Sequence, residues 1–145
     1  MNRQLHPVFG SGFSFIELLI VVAIIGILTL IVLPSYTQHL ISSRRAEAKV
    51  ALMEVSSRQE QYILDHQQYS LVLKSIGLSK ITPEGNYLLA ISPSTQSCPI
   101  SYCYELTATI IPTAKQAKDI DCSQFILKSS GLKKAQGINS LRCWL

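Results

Sequence analysis

A long apolar run that contains a single carboxylate constrains this chain more than any other feature. Residues 13–33 are almost all aliphatic or aromatic, and Glu17 is the only ionisable side chain among them. As an α-helix rising about 1.5 Å per residue, the run would be roughly 31 Å long. This length matches the hydrocarbon core of a bilayer, so the run predicts a transmembrane helix.

The carboxylate of Glu17 needs a positively charged partner, because an ionised side chain at membrane depth costs about 2.5 to 3.5 kcal/mol. Residues 13–33 contain no Lys, Arg or His. The nearest conceivable cation is the α-amino group that cleavage between Gly12 and Phe13 would create. Residues 1–12 carry Arg3 but no acidic side chain and no apolar core of a secretory signal. We therefore expect residues 1–12 to be a leader that is cut off at the cytoplasmic face; the alternative is an ordinary signal anchor.

The stretch from Gly12 to Leu28 resembles the class III prepilin signal of the type IV pilins over its whole length. This resemblance implies that a prepilin peptidase cleaves between Gly12 and Phe13 and methylates the new amine of Phe13. It also implies that Glu17 pairs with the terminal amine of a neighbouring subunit during filament assembly. Such a pairing is physically reasonable, since two buried charges that lose hydration are tolerable mainly beside each other.

Two residues in the predicted helix disfavour helical hydrogen bonding. Gly26 and Pro34 can each soften or kink a helix. In the pilin family, the corresponding segment can lose helical hydrogen bonds when subunits enter the filament, and the resemblance implies the same here. A modest bend in a helix that its neighbours support is the alternative.

Beyond residue 40 the pattern predicts an amphipathic helix and then a sheet. Apolar side chains recur at helical spacing over residues 41–66, namely at Ile41, Ala48, Leu52, Val55 and Tyr62. Strand-like runs follow at Tyr87–Ser92, Tyr102–Ile111, Cys122–Lys128 and Leu132–Ala135. Short connections between consecutive strands favour an antiparallel sheet packed on the helix.

The predicted fold is therefore α+β, and the resemblance makes it a type IV pilin fold. A long N-terminal helix would have an apolar half over residues 13–40, in the membrane and then in the filament core. Residues 41–145 would form a globular head, in which the amphipathic half packs on three or four antiparallel strands. Further resemblance to minor pilins related to PilE is carried by Arg44–Tyr69, Pro83–Tyr87, Gln116–Asp119, Cys122 with Phe125, Gly131, and Cys143 with Trp144.

All four cysteines lie in the C-terminal third, at Cys98, Cys103, Cys122 and Cys143. An even number on the exported side of a membrane favours disulfides. We predict pairing of Cys98 with Cys103 and of Cys122 with Cys143, although spacing leaves Cys98–Cys122 and Cys98–Cys143 open. A zinc site is less favoured, because the gap from Cys98 to Cys103 exceeds that of a zinc knuckle. In pilins the disulfide-bounded C-terminal loop is usually displayed on the filament exterior.

Between Cys122 and Cys143 the chain carries four cations and no acidic residue: Lys128, Lys133, Lys134 and Arg142. Such a loop can hold phosphates through charge, and Trp144 can stack on a base. The more ordinary interpretation is a soluble filament surface with Trp144 as a core or capping residue.

No catalytic or cofactor motif is recognisable, and His6, His39 and His66 share no metal-ligand spacing. Asp119 and Asp121 are too few for a calcium site. We expect no enzyme activity, no cofactor and no metal.

The resemblance thus implies a structural subunit of a type IV pilus, of the minor class. It also implies the partners of that family: other pilin subunits, the prepilin peptidase, an inner-membrane assembly platform and, indirectly, an assembly ATPase. The subunit would cross the inner membrane once, with its head outside the cytoplasm, before entering an extracellular pilus. The alternatives are a competence-type pilin whose basic head binds extracellular DNA and a type II secretion pseudopilin.

Overall fold

One long helix precedes a four-stranded sheet, as the sequence predicts. The computed structural model describes residues 12–94 and 101–145. Helix α1 spans Phe15–His66. The strands are β1 (Tyr87–Pro93), β2 (Tyr104–Ile110), β3 (Gln124–Lys128) and β4 (Lys133–Gln136). Short 3-10 helices lie at Leu73–Ile76, Lys115–Lys118 and Ser140–Arg142.

The chain divides into two compact units, Met1–Gln38 and His39–Leu145. In the first unit, the large apolar side chains described from Phe13 to Leu30 are exposed. The hydroxyl of Thr29, the one polar side chain after Glu17 in this stretch, donates to the carbonyls of Ile25 and Gly26. Within the described part of the chain, no helical segment reaches the length and mean hydropathy expected of a membrane span.

In the second unit, the sheet is an antiparallel meander in the order β1-β2-β3-β4. Its register places Leu89 beside Ala108, Ala108 beside Phe125, and Phe125 beside Ala135. Side chains alternate between the two faces of a strand, so this row lies on one face. That face forms the core side of the sheet, because Leu89, Ala108 and Phe125 are buried.

The second half of α1 supplies the other wall of the core. Ala48, Leu52 and Val55 are buried there, as the helical spacing predicts, and Tyr62 packs partly against the same cluster. Ile41 is only half-buried. Burial of these side chains between helix and sheet is the main source of the stability of this unit.

Two hydrogen bonds made by the Gln59 side chain hold the segment that follows α1 against the helix. Gln59 is fully buried. Its side-chain Nε2 donates to the carbonyl of Ser70 at 2.6 Å, and its Oε1 accepts the N–H of Ser70 at 2.9 Å. Both polar atoms of the amide are therefore satisfied by one backbone position, which makes the burial of Gln59 tolerable.

The C-terminal segment is held to the sheet by a covalent bond and a close backbone approach. Cys122 and Cys143 form a disulfide, as predicted. Gly137 has φ +137°, and a Cβ atom there would lie 2.0 Å from the carbonyl oxygen of Asp121. Only glycine fits this position, because any side chain would overlap the neighbouring backbone.

Candidate functional site

The predicted processing site lies immediately before α1. Gly12, Phe13 and Ser14 are exposed and non-helical. Phe13 is 81% exposed, and nothing lies within 4 Å of the Cβ position at Gly12. The peptide bond between Gly12 and Phe13 thus joins two exposed, non-helical residues, and its cleavage stays a prediction. Residues 1–11 of the predicted leader lie outside the described residues.

Glu17 occupies the first turn of α1. The carbonyl of Ser14 accepts the N–H groups of Glu17 at 3.0 Å and Leu18 at 3.2 Å, which places Ser14 at the N-cap. Ser14 and Glu17 have the Ser-x-x-Glu spacing of a capping box, and a carboxylate in a first turn also complements the helix dipole. The role expected of Glu17 from the sequence is in assembly alone, but the Ser-x-x-Glu spacing from Ser14 to Glu17 also predicts a capping role at the start of the helix. In the described ranges Glu17 is exposed and makes no ion pair.

Gly26 lies within α1, and outside the adjacent turns of the helix backbone no described atom lies within 4 Å of where a Cβ atom would be. The range of α1 also includes Pro34. A softening role for Gly26 and Pro34 concerns the filament state and stays a prediction.

In the head, the carboxylate of Asp119 forms an ion pair with Arg45. Its carboxylate accepts two hydrogen bonds of 2.6 Å from the guanidinium of Arg45. Gln116 Nε2 donates to it at 2.8 Å, and the N–H of Cys122 donates at 3.3 Å. The hydrogen bond to Asp119 raises the pKa of Arg45, against the opposing effect of burial. This network fastens the β2–β3 connection to α1 beside the disulfide.

The cysteines exclude a four-thiolate zinc site, because Cys122 and Cys143 are bonded to each other. Cys103 is buried. Cys98 lies outside the described residues, so its pairing with Cys103 stays a prediction.

The four predicted DNA-binding cations are not equivalent. Lys128 Nζ lies 3.2 Å from Glu105 Oε2 on the neighbouring strand, which offsets its charge. Lys133, Lys134 and Arg142 are exposed and form no ion pair in the part of the chain that the structure describes.

Trp144 is a packed anchor of the C-terminal segment. Its ring meets Phe125 edge-on, with 5.7 Å between centroids, and its Nε1 donates to the carbonyl of Lys134 at 2.6 Å. Lys133 Nζ lies 5.4 Å from the centroid of the same ring, within the range of a cation–π contact. These contacts favour the capping role that sequence reasoning gave as the alternative to base stacking.

Large aliphatic side chains lie exposed among these cations. Leu141 is 93% exposed and Ile138 is 72% exposed. Leu141 borders two shallow depressions, one of about 290 Å³ shared with Ile138 and Arg142, and one of about 270 Å³ shared with Lys133 and Trp144. We call this region the C-terminal loop surface; its outward side chains are Leu132, Lys133, Lys134, Ile138, Leu141 and Arg142.

A family model described as type IV minor pilin ComP, DNA uptake sequence receptor, matches residues 34–126. The chain belongs to the type IV pilin family. The match covers the second half of α1, strands β1 and β2, and the first three residues of β3. The pilin therefore shares with that family the part of the head that contains the Arg45–Asp119 pair.

Known relatives agree with this membership. The type IV major pilin protein PilA of Myxococcus xanthus is 35% identical over 99 residues, which cover 67% of this chain and 44% of PilA. The fimbrial protein of Neisseria meningitidis is 32% identical over 82 residues, covering 56% of this chain and 48% of that protein. The pilin thus spans about half the length of the curated relatives that it matches.

The fold matches that of a solved minor pilin. The crystal structure of the non-core minor pilin PilV of Neisseria meningitidis superposes with a TM-score of 0.51 at 18% identity, covering 70% of this chain and 92% of PilV. The predicted pilin fold, with its long helix, antiparallel sheet and C-terminal disulfide, is confirmed.

Proposed function

We propose that this pilin is a structural subunit of a type IV pilus, of the minor class. The observation that carries the proposal is the exposed apolar surface of residues 13–30, interrupted by Glu17 in the first turn of α1. Exposed aliphatic side chains over more than four helical turns need an apolar partner, and packed helices of other pilin subunits provide one. Its role is to assemble into the filament through α1, with the head on the outside.

The life cycle that follows begins in the inner membrane, with the head on the outer side. A prepilin peptidase would cut between Gly12 and Phe13, at the exposed non-helical segment, and methylate Phe13. Glu17 would then pair with the terminal amine of a neighbouring subunit as both charges leave water. The assembly platform and its ATPase would move the subunit into the extracellular pilus.

Mass spectrometry of purified native pili tests this proposal. We expect the chain in the filament at a small fraction of the major pilin, starting at N-methylated Phe13. Its absence from pili together with its presence in a secretion pseudopilus would favour the pseudopilin alternative. Retention of residues 1–12 in the filament would contradict the processing step.

A second candidate function is capture of extracellular DNA. The observation that favours it is the description of the matching family as a DNA uptake sequence receptor. The matched segment ends at residue 126, so Lys128, Lys133, Lys134 and Arg142 lie beyond it. A gel-shift titration of the full chain with duplex DNA at low and moderate salt tests this function, because affinity that depends on phosphates falls steeply with salt. No binding at about 50 mM salt would remove DNA capture and leave the structural subunit unaffected.

A further inference from the structure

The C-terminal loop surface combines protruding aliphatic side chains with cations that form no ion pair with any residue the structure describes. A single exposed leucine is ordinary on a protein surface. Here Leu132, Ile138 and Leu141 are all exposed, and Lys133, Lys134 and Arg142 lie next to them in the chain, within residues 132–142. This composition is unlike that of a filament surface that only has to remain soluble.

The charge of this region is strongly one-sided. Residues 122–145 contain no aspartate or glutamate. Lys49 lies close by, and its Nζ donates to the main-chain oxygen of Leu145 at 2.9 Å. Burial lowers the pKa of Lys49 most, and the charges of Arg45 and Lys133 lower it further. Carboxylates from outside the segment contact it at three points among the described residues: Glu105 pairs with Lys128, Asp119 accepts the N–H of Cys122, and Asp121 accepts the side-chain N–H of Asn139. Asp119 and Asp121 both lie beside Arg45, Asp121 at 3.7 Å. Arg45 therefore offsets the negative charge of Asp121.

The leucine and isoleucine side chains are held outward by a rigid support. The Cys122–Cys143 disulfide, the packing of Trp144 on Phe125 and the close approach of Gly137 to Asp121 fix the backbone on both sides of residues 138–142. Presenting Leu141 to a partner therefore costs little conformational entropy, since its backbone is already ordered.

We propose that the C-terminal loop surface binds the surface of an anionic phospholipid bilayer. Lys133, Lys134 and Arg142 would attract the acidic headgroups, and Ile138 and Leu141 would enter the boundary between headgroups and acyl chains. Trp144 lies at the edge of the same surface, the location that tryptophan favours at membrane interfaces. This binding does not depend on whether the chain works as a pilus subunit.

Lipid fits this surface better than duplex DNA does. Phosphates of DNA would engage the cations but would leave Ile138 and Leu141 in water, without any gain from apolar burial. Trp144 is half-buried, packs at a steep angle against Phe125 and lies 5.4 Å from Lys133 Nζ, so its ring offers a base less open face than a fully exposed aromatic side chain would.

The single tryptophan of the chain makes a direct test possible. The full chain is held in phosphatidylcholine nanodiscs and mixed with separate vesicles that contain brominated phosphatidylcholine, with or without phosphatidylglycerol. Bromine quenches indole fluorescence only at close range. We expect Trp144 to be quenched by vesicles that contain phosphatidylglycerol and not by those without it.

Two variants separate insertion from simple charge attraction. Leu141→Asp and the double change Lys134→Glu with Arg142→Glu should each weaken vesicle binding at least about tenfold. Leu64→Asp is the matched control, because Leu64 is 82% exposed on α1, outside this surface, and should bind within about twofold of the unchanged chain. If Leu141→Asp loses its Cys122–Cys143 bond or its near-UV circular dichroism, Leu141→Ser replaces it.

Three results would overturn the proposal: no quenching that depends on phosphatidylglycerol, full vesicle binding by the Leu141 variant, or equal loss in the Leu64 control. Duplex DNA that binds the same surface while vesicles do not would assign it to nucleic acid instead. If native pili lack the chain, the proposed role as a pilus subunit is contradicted. The proposed membrane binding is not affected by that result, because the vesicle assay uses the isolated protein.

Discussion

Arg45 on α1 and Asp119, which follows it by 74 residues, face each other through two hydrogen bonds of 2.6 Å. The Asp119 side chain is 1% exposed, whereas that of Arg45 is 20% exposed. A bidentate guanidinium–carboxylate pair has a fixed geometry, so it sets the position of the β2–β3 connection on the helix. Gln116 extends this contact by donating to the carbonyl of Ile41 at 3.2 Å.

Changing Asp119 to asparagine should destabilise the head by about 2 to 3 kcal/mol. This loss of unfolding free energy is smaller than the loss expected when a fully buried ion pair is broken, because Arg45 retains some contact with water and with Asp121. Urea unfolding of the full chain in neutral detergent measures the change. The control is Glu105→Gln, which breaks a half-buried pair with Lys128 and should cost less than about 1 kcal/mol. Equal losses in the two variants would contradict a special role for the Arg45 contact.

Removing the Cys122–Cys143 disulfide should loosen the C-terminal segment before the helix and the inner strands. Replacement of both cysteines by alanine should cost about 3 kcal/mol on the chain-entropy model. Hydrogen exchange should speed up first in β4 and residues 137–145, where few other buried contacts remain. A double replacement of Cys98 and Cys103 is the matched control and should cost less, since that predicted loop is shorter. Uniform loss of protection over the whole head would argue against this order.

Glu17→Leu should be processed normally but enter pili poorly. The substitution keeps the apolar surface of α1 and removes the carboxylate that would pair with a neighbour's amine, so incorporation should fall at least about tenfold. Immunoblots of membrane and sheared pilus fractions measure both steps. Glu54→Leu makes the same change on an exposed position of α1 in the head and should incorporate normally. Normal incorporation of the Glu17 variant would show that the pairing is dispensable.

The head should lose stability in alkali, and Tyr104 should be one of the causes; burial also raises the pKa of Tyr87, which acts in the same direction. Burial is the main cause that raises the pKa of Tyr104 to about 12, and the nearby charge of Glu60 adds to it. An unfolded tyrosine has a pKa near 10. The folded state therefore keeps the proton of Tyr104 to a higher pH than the unfolded state does. The contribution of Tyr104 to the unfolding free energy is complete below about pH 10 and is lost as the pH rises to about 12.

Unfolding free energies measured between pH 9 and 12 test this expectation. Tyr104→Phe should flatten the decline. Tyr102→Phe should not, because Tyr102 is 78% exposed. An identical decline in all three proteins would assign the alkaline loss to other groups.

Periodicity predicted most of this fold because it reports which face of each element is buried. The strands lie within two residues of their predicted ends, and Ala48, Leu52 and Val55 pack as the helical spacing indicates. The Cys122–Cys143 pair was also predicted, although the number of cysteines alone allows three connectivities.

Polar contacts between distant segments were not predictable. Nothing local marks Gln59 as a partner of Ser70 or Asp119 as the partner of Arg45, since each pair depends on how the chain returns to α1. Buried polar groups are chosen by the partners that the final fold brings within hydrogen-bond distance. For the same reason, sequence reasoning grouped Lys128 with the other loop cations, although Glu105 on the adjacent strand offsets its charge.

Gly137 has a consequence for how this protein can vary. A side chain at position 137 would overlap the backbone of Asp121, so the C-terminal segment can approach this backbone only with glycine there. The segment is also held by the Cys122–Cys143 disulfide and by the packing of Trp144 on Phe125. Ile138 and Leu141, one and four positions further along, protrude into solvent and carry none of that support. Substitutions at these two positions can therefore change what the loop recognises without weakening the scaffold, so the pilin can acquire new surface specificities one residue at a time.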